Sequence, residues 1–233
     1  MIDLRPFAAL GRFRNDWLNA RHHFSFGEYH DRDRMGFGAL RVWNDDEIAP
    51  SRGFDPHPHR EMEIITYVRE GAITHRDSLG NEGRTEAGDV QVMHAGTGIV
   101  HAEYNIEAVP TRLFQIWVMP NQRGVAPGWG TRQFPRETGG LHVLASGRAA
   151  HEGIGALPLY ADAAVLAGKL AAGETLRHRL PQGGGAYLVA ASGALTVNDA
   201  ALGPRDGAAI AGEEEITLTA RETAEIVLVE LGQ

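Results

Sequence analysis

Residues 53–105 read GFDPHPHREMEIITYVREGAITHRDSLGNEGRTEAGDVQVMHAGTGIVHAEYN, and two short patterns inside the stretch, His57-Pro58-His59 and His101-Ala102-Glu103, decide how the rest is understood. In an extended strand successive side chains point to opposite faces, so residues two apart share a face. His57 and His59 therefore reach the same side, and so do His101 and Glu103. Laid side by side in an antiparallel sheet, the two segments bring three imidazoles and one carboxylate to one point. Such a donor set suits a divalent transition metal: imidazole accepts Fe, Mn, Co, Ni, Cu and Zn, and a hard carboxylate discourages soft Cu(I).

The residues between and around these pairs read as short strands. Residues 62–69 are rich in β-branched and aromatic side chains and end at Glu70-Gly71, which predicts a strand and a turn before residues 72–77 pair back. Residues 78–83 form a further turn, Gly88-Asp89 marks the next reversal, and residues 90–93, 100–105 and 112–118 complete the series. Gly96 and Gly98 supply backbone freedom at a tight turn before the second histidine pattern. Short strands separated by glycine-containing turns suggest a closed barrel or sandwich, and inward-pointing ligand pairs favour the barrel. Upstream, Phe24-Ser25-Phe26 and residues 38–43 look like strands, with Asn44-Asp45-Asp46 as a turn signal. Residues 1–20 show no clean period.

Residues 120–140, PNQRGVAPGWGTRQFPRETGG, are dense in Pro and Gly and mark the boundary between two halves. Residues 141–144, 163–170, 186–190, 195–197, 215–219 and 225–231 then repeat the strand-and-turn texture. The expected organisation is an N-terminal metal-binding barrel over residues 1–132 and a C-terminal barrel over 133–233 without its own metal site.

Composition narrows the chemistry. The 233 residues carry 22 Lys and Arg against 30 Asp and Glu, a net charge of −8, which argues against nucleic-acid and anionic-membrane surfaces. Cysteine is absent, which excludes disulfides, zinc–thiolate sites, iron–sulfur clusters and thiol catalysis. Any metal must be held by N and O. The N-terminus lacks the apolar run of a signal peptide, and no window approaches the roughly 20 apolar residues of a membrane helix. A cytoplasmic protein is expected.

Residues 53–71 resemble the first motif of the cupin superfamily, with Gly53, the HxH pair, Glu63 and Gly71 in place; residues 88–105 resemble the second, with Gly88, Gly96, His101 and Asn105. Further matches are more specific: Phe24-Ser25-Phe26-Gly27, Met35-Gly36-Phe37-Gly38, Val42-Trp43-Asn44-Asp45-Asp46, His57-Pro58-His59-Arg60, residues 62–67, His75, Asp77-Ser78, Gly80-Asn81 and residues 95–99. Together they are similar to the pirin family, closely over residues 20–120 and in texture beyond. The resemblance implies an all-β fold of two cupin barrels (double-stranded β-helix, jelly-roll) packed in tandem, with a metal in the first and a lost site in the second.

On the residues alone, Glu63 competes with Glu103 as the carboxylate, because in an unbroken strand position 63 shares a face with 57 and 59. The resemblance implies His57, His59, His101 and Glu103. Glu63 and Glu61 then become neighbouring or surface groups. His94 departs from the family pattern and places a further donor near the barrel mouth; His75 and His94 are expected to be structural or pocket histidines. The resemblance also implies quercetin 2,3-dioxygenase activity, a non-haem, metal-dependent cleavage of flavonols by O2 with release of CO. One divalent metal is expected, Fe(II) first, with Mn, Co, Ni, Cu or Zn as alternatives. Glu103 would act as ligand and general base. The alternative is a non-catalytic, metal-dependent regulatory module that binds a protein partner. A monomer is expected, with a flavonol and O2 as its small-molecule partners.

Overall fold

The structure is a computed structural model that describes residues 1–135 and 138–232, so Arg136 and Glu137 of the Pro- and Gly-rich stretch lie outside the described residues. Among the described residues the chain forms twenty-two strands and no α-helix. In order these are β1 (Ile2–Arg5), β2 (Gly11–Arg14), β3 (Leu18–His22), β4 (Leu40–Ile48), β5 (Arg52–His59), β6 (Glu63–Glu70), β7 (Ala72–Asp77), β8 (Glu82–Glu86), β9 (Val90–His94), β10 (Ile99–Asn105), β11 (Thr111–Val118) and β12 (Gly128–Arg132). They continue as β13 (Gly140–Ser146), β14 (Leu157–Pro158), β15 (Ala163–Leu170), β16 (Thr175–Arg179), β17 (Gly185–Ser192), β18 (Leu195–Val197), β19 (Ala200–Leu202), β20 (Gly207–Ala211), β21 (Glu215–Ala220) and β22 (Ala224–Leu231).

Two compact units result. One comprises Gly11–Phe134 and Leu157–Ala161, the other Met1–Leu10, Pro135–Ala156 and Asp162–Gln233. The N-terminus therefore does not belong where the sequence division put it. Residues 2–5 pair antiparallel with β20, and the Met1 ammonium donates to the Ala211 carbonyl and the Glu213 carboxylate. A four-residue strand shows too few alternations to reveal its partner, and its pairing partner lies some two hundred residues along the chain.

The unit carrying both histidine patterns is built from a seven-stranded sheet, β12-β9-β6-β11-β4-β3-β2, and a four-stranded sheet, β5-β10-β7-β8. Every pairing in these sheets is antiparallel, which leaves alternate residues pointing between the sheets. Two expectations fail here. Asn44-Asp45-Asp46 is not a turn but the middle of β4, buried and paired on both sides, with Arg21 and Phe114 flanking Asp45. Phe24-Ser25-Phe26 is not a strand; Ser25 exchanges hydrogen bonds with Asp31 and closes a loop, leaving only an isolated bridge from Phe26 to Tyr29.

The register of the larger sheet lines up a row of polar side chains. His22 faces Asn44, Asn44 faces Gln115, Gln115 faces Thr66, Thr66 faces Gln91 and Gln91 faces Thr131. On one side of this row lies an apolar layer of Leu18, Ala20, Ile48, Val68, Ile73 and Leu113; on the other lie Ile64, Met93, Ala95 and Ile99 with Trp117 and Trp129 packed against them. A polar belt between two apolar layers is what places a reactive site inside this barrel. In the other unit β1-β20-β17-β22-β15-β13 runs along one sheet and β16-β21-β18-β19 forms the second. Its interior is filled by apolar side chains such as Leu166, Leu188, Ile210 and Leu228.

Candidate metal centre

β5 is the edge strand of its sheet, which is why it tolerates two prolines: a residue without an N–H is harmless where no further strand pairs. Between His57, opposite His101, and Phe54, opposite Glu103, β5 holds one residue more than β10, a bulge at Asp55-Pro56. The bulge aims Phe54, His57 and His59 to one side. At Gly53, just before it, an added Cβ would lie 2.1 Å from the Glu103 carbonyl oxygen, so only glycine permits this approach of the strands. Gly96 and Gly98, at φ +41° and +137°, form the tight turn that returns the chain into β10.

The imidazoles of His57, His59 and His101 converge, with ring centroids 4.8 Å (His57–His59), 4.5 Å (His57–His101) and 5.0 Å (His59–His101) apart. His57 Nδ1 donates to the Asp55 carbonyl at 2.7 Å, which leaves Nε2 bare. That nitrogen stands 3.1 Å from His101 Nε2. Burial, followed by repulsion from His57, His59 and His75, pulls the His101 pKa down to about 2; burial and then His57 pull that of His59 down to about 4. Both rings are thus neutral at ordinary pH and offer lone pairs. Two imidazole nitrogens bound at right angles to one ion, each at about 2.1 Å, stand about 3 Å apart, which is the spacing present here. The residues fit a metal.

A second grouping, overlapping the first, consists of His75, His101 and Glu103. Glu103 is fully buried, and its carboxylate accepts from Gln91 Nε2 and Thr66 Oγ1 on Oε1 and from Gln115 Nε2 on Oε2. Both amides are locked with their NH2 toward it, because Gln115 Oε1 accepts from Trp117 and Gln91 Oε1 from Thr85 and Trp129. Burial raises the Glu103 pKa to about 7 against the opposing pull of these three donors.

His75 is neither a surface residue nor an idle one. Its Nε2 donates to Asp77 at 2.9 Å, its Nδ1 faces His101 Nδ1 at 3.4 Å, and its ring stacks on Trp129. Asp77 is fixed in turn by Leu79 N, Asn81 N and Asn81 Nδ2. The chain Asp77–His75–His101 selects the tautomer in which His101 presents a bare Nε2 to His57, the kind of outer support that orients metal-binding imidazoles. His75→Ala should weaken divalent-metal binding by about 10–100-fold, read by calorimetric titration with Ni(II) or Co(II). Unchanged affinity would show that the relay does not hold His101.

Glu63, the rival carboxylate, is turned elsewhere. Glu61 sits at φ +49°, which breaks the alternation between β5 and β6, and Glu63 lies on the opposite face of β6 from Thr66. There it pairs with His94 Nδ1 at 2.5 Å and accepts from Tyr160 N. The belt residues Thr66, Gln91 and Gln115 were not singled out by the sequence reading. The signal was present as lone glutamines inside the apolar runs Val90-Gln91-Val92 and Phe114-Gln115-Ile116.

In front of His57 and His59 opens a cavity of about 510 Å³ walled by Trp17, Phe26, Phe54, Tyr104 and Trp117. The size and the aromatic walls, with polar groups such as Arg52, Asp55 and Gln115 among them, suit a small aromatic ligand that carries polar substituents. Trp117 stands edge-on to His59 at 4.9 Å and Phe26 edge-on to Trp117 at 5.5 Å.

Known proteins share this architecture. Residues 4–118 match Pirin, and residues 143–231 match the quercetinase C-terminal cupin domain. A pirin-like protein of Caulobacter vibrioides is 56% identical over 232 residues, 99% of each chain. The quercetin 2,3-dioxygenase of Escherichia coli K12 is 38% identical over 99% of each. The crystal structure of the bacterial pirin YhhW from Escherichia coli in complex with nickel(II) superposes with a TM-score of 0.93 at 37% identity, covering 99% of both chains. With a matching sequence along its whole length, two cupin barrels in tandem and a histidine cluster able to hold a metal, this chain belongs to the pirin family.

Proposed function

We propose that the protein is a metal-dependent dioxygenase that opens the central ring of flavonols such as quercetin with O2 and releases CO. The observation that carries this reading is the convergence of three imidazoles, beside a buried carboxylate, at the end of an aromatic-walled cavity. His57, His59, His101 and Glu103 would hold one divalent metal, Fe(II) being the first choice for an N/O donor set. When bound, the metal supplies Lewis acidity toward a substrate oxygen and access to O2 chemistry.

The remaining work falls to the protein. Trp117, Phe26 and Phe54 hold a flat substrate against the histidines and keep water away. Glu103, steadied by Gln91 and Gln115, takes the proton of the flavonol 3-hydroxyl on a carboxylate oxygen, leaving the electron-rich flavonolate that reacts with O2. Three hydrogen-bond donors on one carboxylate keep it in place before and after that transfer.

Incubating the metal-loaded protein with quercetin under air tests the reading. Loss of the flavonol absorption band with stoichiometric CO is expected. Absence of both with Fe, Mn, Co, Ni and Cu in turn would overturn it and leave a metal-dependent protein-binding role.

A further inference from the structure

Asp46 stands where the barrel is otherwise apolar. Its in-register neighbours across the sheet are Ala20 on β3 and Leu113 on β11, and beyond Leu113 comes Val68 on β6. The aspartate is 1% exposed, and its Oδ1 has no hydrogen-bond partner in the protein. Native interiors rarely leave a buried carboxyl oxygen unmatched, and such an atom calls for an explanation. Burial foremost, with repulsion from Asp45 and Glu103 added and Arg69 opposing, holds the Asp46 carboxyl well above the usual carboxylate range. Burial thus favours the protonated form, which has one O–H to give and oxygen lone pairs to accept.

What faces Asp46 is a second cavity of about 550 Å³. Phe13, Phe26, Tyr29 and Phe54 contribute its aromatic walls, and His22 and Asn44 join Asp46 at its polar end. His22 Nδ1 donates to Asn44 Oδ1 at 2.7 Å, which leaves Nε2 as an acceptor. Phe26, Phe54 and Gln115 also line the cavity in front of His57 and His59, so the two spaces adjoin. A carboxyl that can donate or accept, beside an imidazole acceptor, matches groups that do both, and aromatic walls match a ring. Phenolic hydroxyls combine the two properties.

We infer that this second cavity is a subsite for a hydroxyl-bearing aromatic ring, with Asp46 as the residue that recognises the hydroxyls. The inference rests on the flavonol reading above for the part of the ligand that reaches the histidines. In that setting the pendant ring enters the second cavity while the 3-hydroxyl faces Glu103.

Equilibrium binding to the metal-loaded protein under nitrogen, followed by quenching of tryptophan fluorescence, tests it with galangin, kaempferol and quercetin. These flavonols differ only in carrying none, one or two hydroxyls on the pendant ring. In the wild type, affinity should rise about tenfold across the series, the scale of one or two net hydrogen bonds. Asp46→Leu should bind all three alike, and because leucine suits the apolar row it should melt no lower than the wild type. Equal affinities in the wild type, or a preference that survives in Asp46→Leu, would overturn the subsite; should that variant not fold, the wild-type series still decides. A preference for quercetin without turnover sinks the dioxygenase reading and leaves the subsite. Turnover with flat affinities does the reverse.

Discussion

Alanine at Glu103 should abolish flavonol turnover while the three histidines retain part of the metal. The carboxylate sits with His101 and His75, and the amides of Gln91 and Gln115 are committed to it by their own acceptors on Trp129, Thr85 and Trp117. The three groups that touch the carboxylate, Gln91, Thr66 and Gln115, are donors aimed at it and cannot replace it as a base. Losing a positioned base costs about 10²–10⁴-fold in rate, and the loss of a ligand adds to that. Glu103→Gln separates the two contributions: it keeps the side-chain volume but cannot take a proton. The measurement is the decay of the flavonol band together with metal content by elemental analysis. Full activity in the alanine variant at normal metal content would remove Glu103 from the reaction.

How much of this was legible before the fold was known depends on the length of the signal. The strands that carry His57, His101 and Glu103 announce themselves through alternation bounded by glycine turns, and period-two geometry suffices to place both pairs on one face. Asn44-Asp45-Asp46 misled because three polar residues in a row are usually a turn. Here Asn44 and Asp46 face the barrel interior and Asp45 the other side, where Arg69 pairs with it, so the polarity belongs to a strand. Glu63 misled for the opposite reason: alternation from His59 would carry it inward, but one residue at positive φ, Glu61, resets the count. The belt of Thr66, Gln91 and Gln115 depends on register between strands far apart in sequence, which no local pattern encodes. The same holds for β1, whose partner β20 lies two hundred residues on.

His101→Ala should reduce bound divalent metal from one equivalent to near zero. His101 is the member common to both side-chain groupings, and it alone touches His57 through one ring nitrogen and the His75–Asp77 relay through the other. Removing either HxH histidine would leave one imidazole on each strand; removing His101 leaves the β5 pair without any nitrogen from β10 and cuts the relay off from the site. A thermal-shift titration reads the loss without recourse to activity. A ligand that binds only the folded state stabilises it by about 2.7 kcal/mol at a hundredfold excess over Kd, so wild-type protein should melt higher as Ni(II) is added. The variant should not respond over the same range. Because deleting a buried ring also leaves a cavity, the variant is compared with its own metal-free state, and only the slope with metal matters. A variant that binds a full equivalent and shows the wild-type shift would place the metal elsewhere and leave these histidines as a packed polar core.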